Sequence, residues 1–291
     1  MKLVIAATPD VALPTIQALE KAHQVTVVTQ PDRPAGRGKQ LKATEVAGAF
    51  PNALKPVSEE ELQEISKDSD LLITIGYGRI LRTETLSIPK HGGINLHFSL
   101  LPKWRGAAPV QRSIEAGDKT TGVTVFQMDA GMDTGPIWSQ IEYQIPYATT
   151  SPQLFGTLSE IGVKAISNAI ELIANGATPT AQSGETSIAA KVKKEECRID
   201  WNNSAEEILR KIRAFSFNPG VFSFIRGEQV KISDAHLAEG NLAPGEISAT
   251  GQVGTKDGAI QLVNLTPAGK KAMAVKDWLN GFKPQQGERF E

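Results

Sequence analysis

Short apolar runs alternate with stretches of helical spacing along the first half of the chain. Leu3–Ala7 is one such run, and Val11, Leu13, Ile16 and Leu19 follow at the intervals of one helix face. Val25–Val28 is short and β-branched, and Asp70–Gly76 encloses the apolar run Leu-Leu-Ile-Thr-Ile. Ile94–His97 and Gly122–Met128 complete the predicted strands. Strands separated by helical patterns predict βαβ units and a doubly wound, mostly parallel sheet. Such sheets carry their chemistry at the carboxyl ends of strands, here after Ala7, Gly76 and Leu96. Ser151–Asn175 predicts one long helix, with Leu154, Leu158, Ile161, Ala165, Ile166, Ala169 and Ile173 as its apolar stripe.

The pattern changes after residue 176. Residues 176–186 are rich in Gly, Pro, Ser and Thr and read as a loop, and residues 191–206 are polar and charged, as in a linker. Ser204 and Glu207 stand at capping-box spacing at the start of a helix running to Ala214. The short segments Val221–Arg226, Gln229–Ser233, Gly245–Ser248, Gln252–Thr255 and Ala259–Leu265 then predict a small antiparallel barrel or sandwich. The expected domains are 1–190, a linker at 191–206, and 207–291.

Composition narrows the function classes. The 31 basic and 32 acidic residues leave a net charge of −1, which gives no global sign of a polyanionic partner. The division along the chain is uneven: residues 207–291 hold 11 Lys+Arg against 9 Asp+Glu, whereas residues 1–206 hold 20 against 23. A single cysteine, Cys197, excludes an intramolecular disulfide framework and a cysteine-based metal cluster. No apolar run approaches the ~18 residues of a membrane span, and Leu3–Ala7 is too short for a secretory segment. A cytoplasmic protein is expected.

Candidate chemistry concentrates in Asn95–Gln111 and Thr121–Gly135. On a strand, Asn95 and His97 project from one face, because side chains alternate with period two. Asp133, between glycines, is a candidate partner for the imidazole, and a nearby carboxylate favours the protonated ring. Taken singly, each residue has an ordinary structural role as well: a satisfied histidine, a turn-capping Asn, an Asp-Thr-Gly turn. Their grouping around Ser-Leu-Leu-Pro (99–102) and Trp-Arg-Gly-Ala-Ala-Pro (104–109) speaks for a site.

Those segments carry a resemblance. The chain resembles the methionyl-tRNA formyltransferase family almost end to end, through Ala7–Asp10, Thr29–Lys39, Asn95–Gln111, Gly117-Asp118, Met128–Gly135, Lys193–Trp201, Arg213–Phe215, Leu265–Met273 and Phe282–Phe290. Asn-x-His with Ser-Leu-Leu-Pro is similar to the wider folate-dependent formyltransferases. The Gln-Pro-Asp-Arg-Pro-Ala-Gly-Arg-Gly segment (30–38) and Pro-Ala-Gly-Lys-Lys-Ala-Met (267–273) are similar to the tRNA-directed members. Two departures stand out: Phe98 replaces a small residue common between the His and the Ser, and no Trp follows Arg213-Ala-Phe.

The resemblance implies an α/β chain with a Rossmann-like catalytic domain and a small, mainly-β, OB-like barrel that binds tRNA. It implies formyl transfer from 10-formyltetrahydrofolate to the methionine α-amine of initiator methionyl-tRNA, with no metal, no membrane and a monomeric enzyme. Asn95, His97 and Asp133 would be catalytic, the first two as donors to the developing oxyanion. Ser99, Leu100, Leu101, Pro102 and Gly135 would line the folate pocket. Arg33, Arg37, Lys39 and Lys42, with Lys270 and Lys271, would contact tRNA, Arg37 nearest the acceptor end. A formyltransferase acting on a sugar amine or on glycinamide ribonucleotide would share the catalytic trio without needing these basic segments. An RNA-binding module without catalysis would not need the trio.

Overall fold

The computed structural model describes residues 1–35, 40–216 and 219–291. The chain folds as two compact units: Met1–Gly106, Thr120–Gln144 and Phe155–Ala189 form the first, and Ala107–Lys119, Ile145–Leu154 and Ala190–Glu291 the second.

The first unit contains strands β1 (Lys2–Ala7), β2 (Gln24–Val28), β3 (Arg33–Ala35), β4 (Gln40–Lys42), β5 (Leu71–Ile75), β6 (Gly93–His97), β7 (Arg105–Gly106), β8 (Thr120–Gln127), β9 (Ile137–Gln144) and β10 (Ile188–Ala189). Six of them make one sheet in the order β2-β1-β5-β6-β8-β9. Its first four strands are parallel, and β8 and β9 continue it antiparallel. Every residue of β5, and every residue of β1 except Lys2, is buried. That burial explains why both read as unbroken apolar runs: parallel strands are covered on both faces. β9 is half-exposed with alternating burial, as an edge strand is.

The helices along this half are α1 (Leu13–Glu20), α2 (Glu45–Ala49), α3 (Glu59–Ser66), α4 (Thr83–Leu86), α5 (Pro109–Ala116) and α6 (Ser151–Ala174). Thr44 and Ser58 cap α2 and α3 by accepting from the backbone N–H groups of Ala47 and Glu61. Three glutamates in the first turn of α3 complement the positive end of its dipole. The stretch Thr29–Lys42 contains the β3–β4 pair, in which Arg33 stands opposite Lys42. Arg37 and Lys39 lie outside the described residues.

The second unit holds α5, α7 (Ala205–Ala214), β11 (Val221–Ile225), β12 (Glu228–Ala238), β13 (Gln252–Gly254), β14 (Ala259–Pro267), β15 (Met273–Ala274) and α8 (Val275–Phe282). Its strands form an antiparallel sheet ordered β11-β12-β14-β13, with β15 on β14. The capping box of Ser204 and Glu207 opens α7 as its spacing predicts. Gly245–Ser248 makes only isolated bridges, among them Ile247 with Val253. Residues 191–206 are more than a polar tether: Cys197, Ile199 and Trp201 are buried, and Trp201 stacks on Phe290 with ring centres 5.4 Å apart. Among the described residues no helix is long and apolar enough to cross a membrane.

Candidate active site

Strand β6 lies between β5 and β8, and its last residues reach the carboxyl edge of the sheet. Register pairs Asn95 with Thr74 of β5 and with Phe126 of β8, and His97 with Thr124. The Thr74 hydroxyl donates to Asn95 Oδ1 over 3.0 Å. That bond fixes the amide's orientation and leaves its amino group to donate elsewhere, since no described residue accepts from it. Thr74 was hidden in the sequence as one position of an apolar run.

His97 is only 5% exposed, and its Nε2 stands 2.8 Å from the backbone carbonyl of Trp104. A carbonyl only accepts, so Nε2 carries the proton and Nδ1 keeps its lone pair in the neutral ring. Nδ1 lies 3.7 Å from Asp133 Oδ2. Burial pushes the His97 pKa below the ordinary value, outweighing the Asp133 charge and the Trp104 carbonyl, which both pull it up. The resting imidazole is therefore neutral, contrary to the protonated ring expected from the carboxylate alone. Burial was the missing quantity.

Asp133 sits in a turn at φ +54°. Its Oδ2 accepts from the Gly106 N–H over 2.7 Å, which anchors the carboxylate beside the imidazole. The turn itself is held by a residue that the sequence reading passed over. Gln182 Nε2 donates to the carbonyls of Asp133 and Gly135, 2.8 Å each, while its Oε1 accepts from Arg105 Nε and one terminal nitrogen at 3.2 and 2.6 Å. One amide thus joins three segments. Replacing Gln182 with Leu removes all four bonds and leaves the Asp133 carbonyl without this donor. The expected result is a ten- to hundredfold fall in turnover from displacement of the carboxylate, with Gln182→Glu no better because its added charge faces two carbonyls. Steady-state kinetics on both variants check this.

The 99–102 segment is braced from beneath. The Ser99 hydroxyl donates to the Lys103 carbonyl over 2.6 Å and is fully buried. Thr124 Oγ1 donates to the Ser99 carbonyl and accepts from the Leu101 N–H, at 2.6 and 3.1 Å, and Gln140 Nε2 bonds both Thr124 Oγ1 and the Leu101 carbonyl. Leu101 and Pro102 are buried, and Leu100 is half-buried over Gly122. The Phe98 ring meets Phe155 edge to face at 5.7 Å. A side chain at Gly135 would collide with the Gln127 carbonyl, so only glycine lets the Asp133 turn approach β8 so closely.

The described basic residues lie at the surface. Lys42 pairs with Glu45 at 3.2 Å on the surface. Lys270 and Lys271 are exposed in the turn between β14 and β15. Among the described residues no group of three or more His, Cys, Asp or Glu side chains is arranged to hold a metal ion.

An amide donor, a buried neutral imidazole and an anchored carboxylate at a strand's carboxyl end are suited to moving an acyl group onto an amine. The chain matches the family models for formyl transferase over residues 1–170 and for the formyl transferase C-terminal domain over residues 191–283. It belongs to the formyl transferase family. Within that family it is 39% identical to the methionyl-tRNA formyltransferase of Thermodesulfovibrio yellowstonii, over 98% of this chain and 97% of the relative. It is 40% identical to the methionyl-tRNA formyltransferase of Pseudoalteromonas translucida, over 97% of this chain and 94% of the relative. The fold also resembles HypX from Aquifex aeolicus, solved in complex with tetrahydrofolic acid, at a TM-score of 0.70 and 20% identity, covering all of this chain and 50% of that one.

Proposed function

We propose that the protein transfers the formyl group of 10-formyltetrahydrofolate to the α-amino group of methionine on initiator methionyl-tRNA. The observation that carries this reading is the neutral, buried His97 set between the Trp104 carbonyl and Asp133, on the same strand face as an Asn95 whose amino group is free to donate. The relatives' names supply the acceptor, and the folate-bound neighbour of the same fold supports the donor.

Asn95 Nδ2 donates to the formyl oxygen as negative charge gathers there, the role of an oxyanion donor. His97 Nδ1 takes the proton that the amine loses on attack, and Asp133 stabilises the imidazolium so formed. The same ring then returns the proton to the departing folate nitrogen. The ring enters this cycle as a base, so the rate should rise with pH through the lowered His97 pKa. Ser99–Pro102 and Gly135 shape the folate pocket through the form of their loops, because the Ser99 hydroxyl is turned inward. No metal is needed for these steps.

Two basic segments, Arg33–Lys42 and the Lys270-Lys271 turn, hold the RNA. The lysine pair sits on an exposed turn, where it contributes phosphate contacts. Changing Lys270 and Lys271 together to Ala should weaken tRNA binding and reduce the slope of log K against log salt by up to about 2, with the maximal rate nearly unchanged. Arg37→Ala should instead impair transfer even at saturating tRNA. Comparing kcat/KM for charged initiator tRNA, an amino-sugar nucleotide and glycinamide ribonucleotide tests the acceptor. A preference for either small amine overturns the tRNA assignment.

A further inference from the structure

The neutral His97 ring has one proton and two acceptors beside it. The Trp104 carbonyl stands 2.8 Å from Nε2, and Asp133 Oδ2 stands 3.7 Å from Nδ1. Whichever acceptor takes the proton decides which nitrogen keeps its lone pair. A proton drawn to Asp133 would leave Nδ1 unable to accept another. The base therefore depends on where the Trp104 carbonyl is held.

That carbonyl belongs to a constrained stretch of backbone. Trp104 has φ +64°, in the left-handed region that a bulky residue enters only where its surroundings impose it. Ser187 supplies the constraint. Its Oγ accepts from the Trp104 N–H over 2.9 Å, its carbonyl accepts from the Arg105 N–H over 2.9 Å, and its own N–H donates to the Pro102 carbonyl over 3.4 Å. The Arg105 N–H and the Trp104 carbonyl share one planar trans peptide and point to opposite sides of it. Holding that N–H on Ser187 thus aims the carbonyl at the ring. The hydroxyl fixes the preceding peptide, and between them the two bonds set the rotation about the Trp104 α-carbon.

The segment that carries Ser187 is anchored in turn. Thr180 exchanges two backbone bonds with Ile137, at 2.6 and 2.8 Å, and Ile188 and Ala189 of β10 pair with Arg105 and Gly106 of β7. Gln182, in the same segment, holds the Asp133 turn. One stretch of chain therefore places both of the ring's acceptors. Ser187 is half-buried, and its hydroxyl takes no part in the β7–β10 backbone pairing, so removing the hydroxyl spares that pairing.

We propose that Ser187 is a positioning residue for the transfer reaction: by holding the peptides on either side of Trp104, it keeps the His97 proton on Nε2 and leaves Nδ1 open as the base. The inference rests on the base role given to His97 above.

Nitrogen NMR of the isotope-labelled His97 ring, with the ring neutral, reads the proton's place directly, because a protonated ring nitrogen and a bare one resonate far apart. The proteins compared are wild type, Ser187→Ala and Ser187→Thr, with thermal melts to confirm folding. Wild type and Ser187→Thr should carry the proton on Nε2, whereas Ser187→Ala should show Nδ1 taking a share of it. Turnover in Ser187→Ala should fall about tenfold. KM for each substrate should stay within about twofold, and Ser187→Thr should keep the wild-type rate. A wild-type ring protonated on Nδ1 overturns the proposal, whatever the variants do. So does a Ser187→Ala protein with the wild-type tautomer, or a threonine variant as slow as alanine. The tautomer is read without substrates, so it judges Ser187 apart from the activity. Wild type that fails to formylate methionyl-tRNA refutes the proposed function, and an unchanged tautomer in an enzyme that does formylate it refutes this role alone.

Discussion

Replacing His97 with Ala lowers the rate of formyl transfer by at least about 10²-fold, measured as turnover with both substrates saturating. The position of the ring proton sets this loss. Nε2 is committed to the Trp104 carbonyl, so Nδ1 is the ring's only acceptor, and it faces Asp133. Alanine removes that acceptor and provides no replacement. The Trp104 carbonyl also loses its donor, so a modest drop in thermal midpoint accompanies the kinetic loss without accounting for it. Asp133→Asn completes the test. The Asp133 charge pulls the His97 pKa up, so removing it lets the pKa fall further, and the acidic limb of the pH–rate profile moves to lower pH. The plateau falls too, because the imidazolium formed during transfer loses its counter-charge. A wild-type pH profile in Asp133→Asn would reduce Asp133 to a turn residue.

Asn95→Ala should cost about 10²–10³ in turnover, with donor affinity largely retained. A donor aimed at charge that exists only in the transition state affects the rate far more than binding. Its orientation comes from Thr74, whose hydroxyl holds Oδ1 at 3.0 Å. Asn95→Asp is the stricter variant: it keeps the size but places negative charge where negative charge develops, and it should be at least as damaging. Single-turnover rates together with donor binding check both substitutions. A loss that appears in donor affinity alone would remove Asn95 from the oxyanion role.

The parts of this account that were legible in the sequence share a physical reason. β1 and β5 are buried on both faces and appear as apolar runs, and the two-residue spacing of Asn95 and His97 is enough to put them on one face. β9 was missed because an edge strand needs only intermittent burial, and Ile137–Gln144 shows polar residues between Ile137, Ile141 and Tyr143. β12 extends past Ser233 to Ala238 because the chain absorbs an irregularity in register at Asp234, which no local pattern announces. Gln182 lies 49 residues from Asp133 and 77 from Arg105, in a stretch whose composition says only loop. The protonation state of His97 was misread for a related reason: sequence displays the carboxylate but not the burial that outweighs it.

The central claim is that this site passes a formyl group from a folate to the amine of an aminoacylated RNA. The most direct measurement supplies 10-formyltetrahydrofolate labelled in its formyl carbon to the protein with methionyl initiator tRNA, and follows the label and the folate together. The account predicts label on the methionine nitrogen, one tetrahydrofolate released per formyl transferred, and loss of both in His97→Ala. Label that stays on the folate in the presence of methionyl-tRNA, or transfer that survives in folded His97→Ala at the wild-type rate, would contradict it.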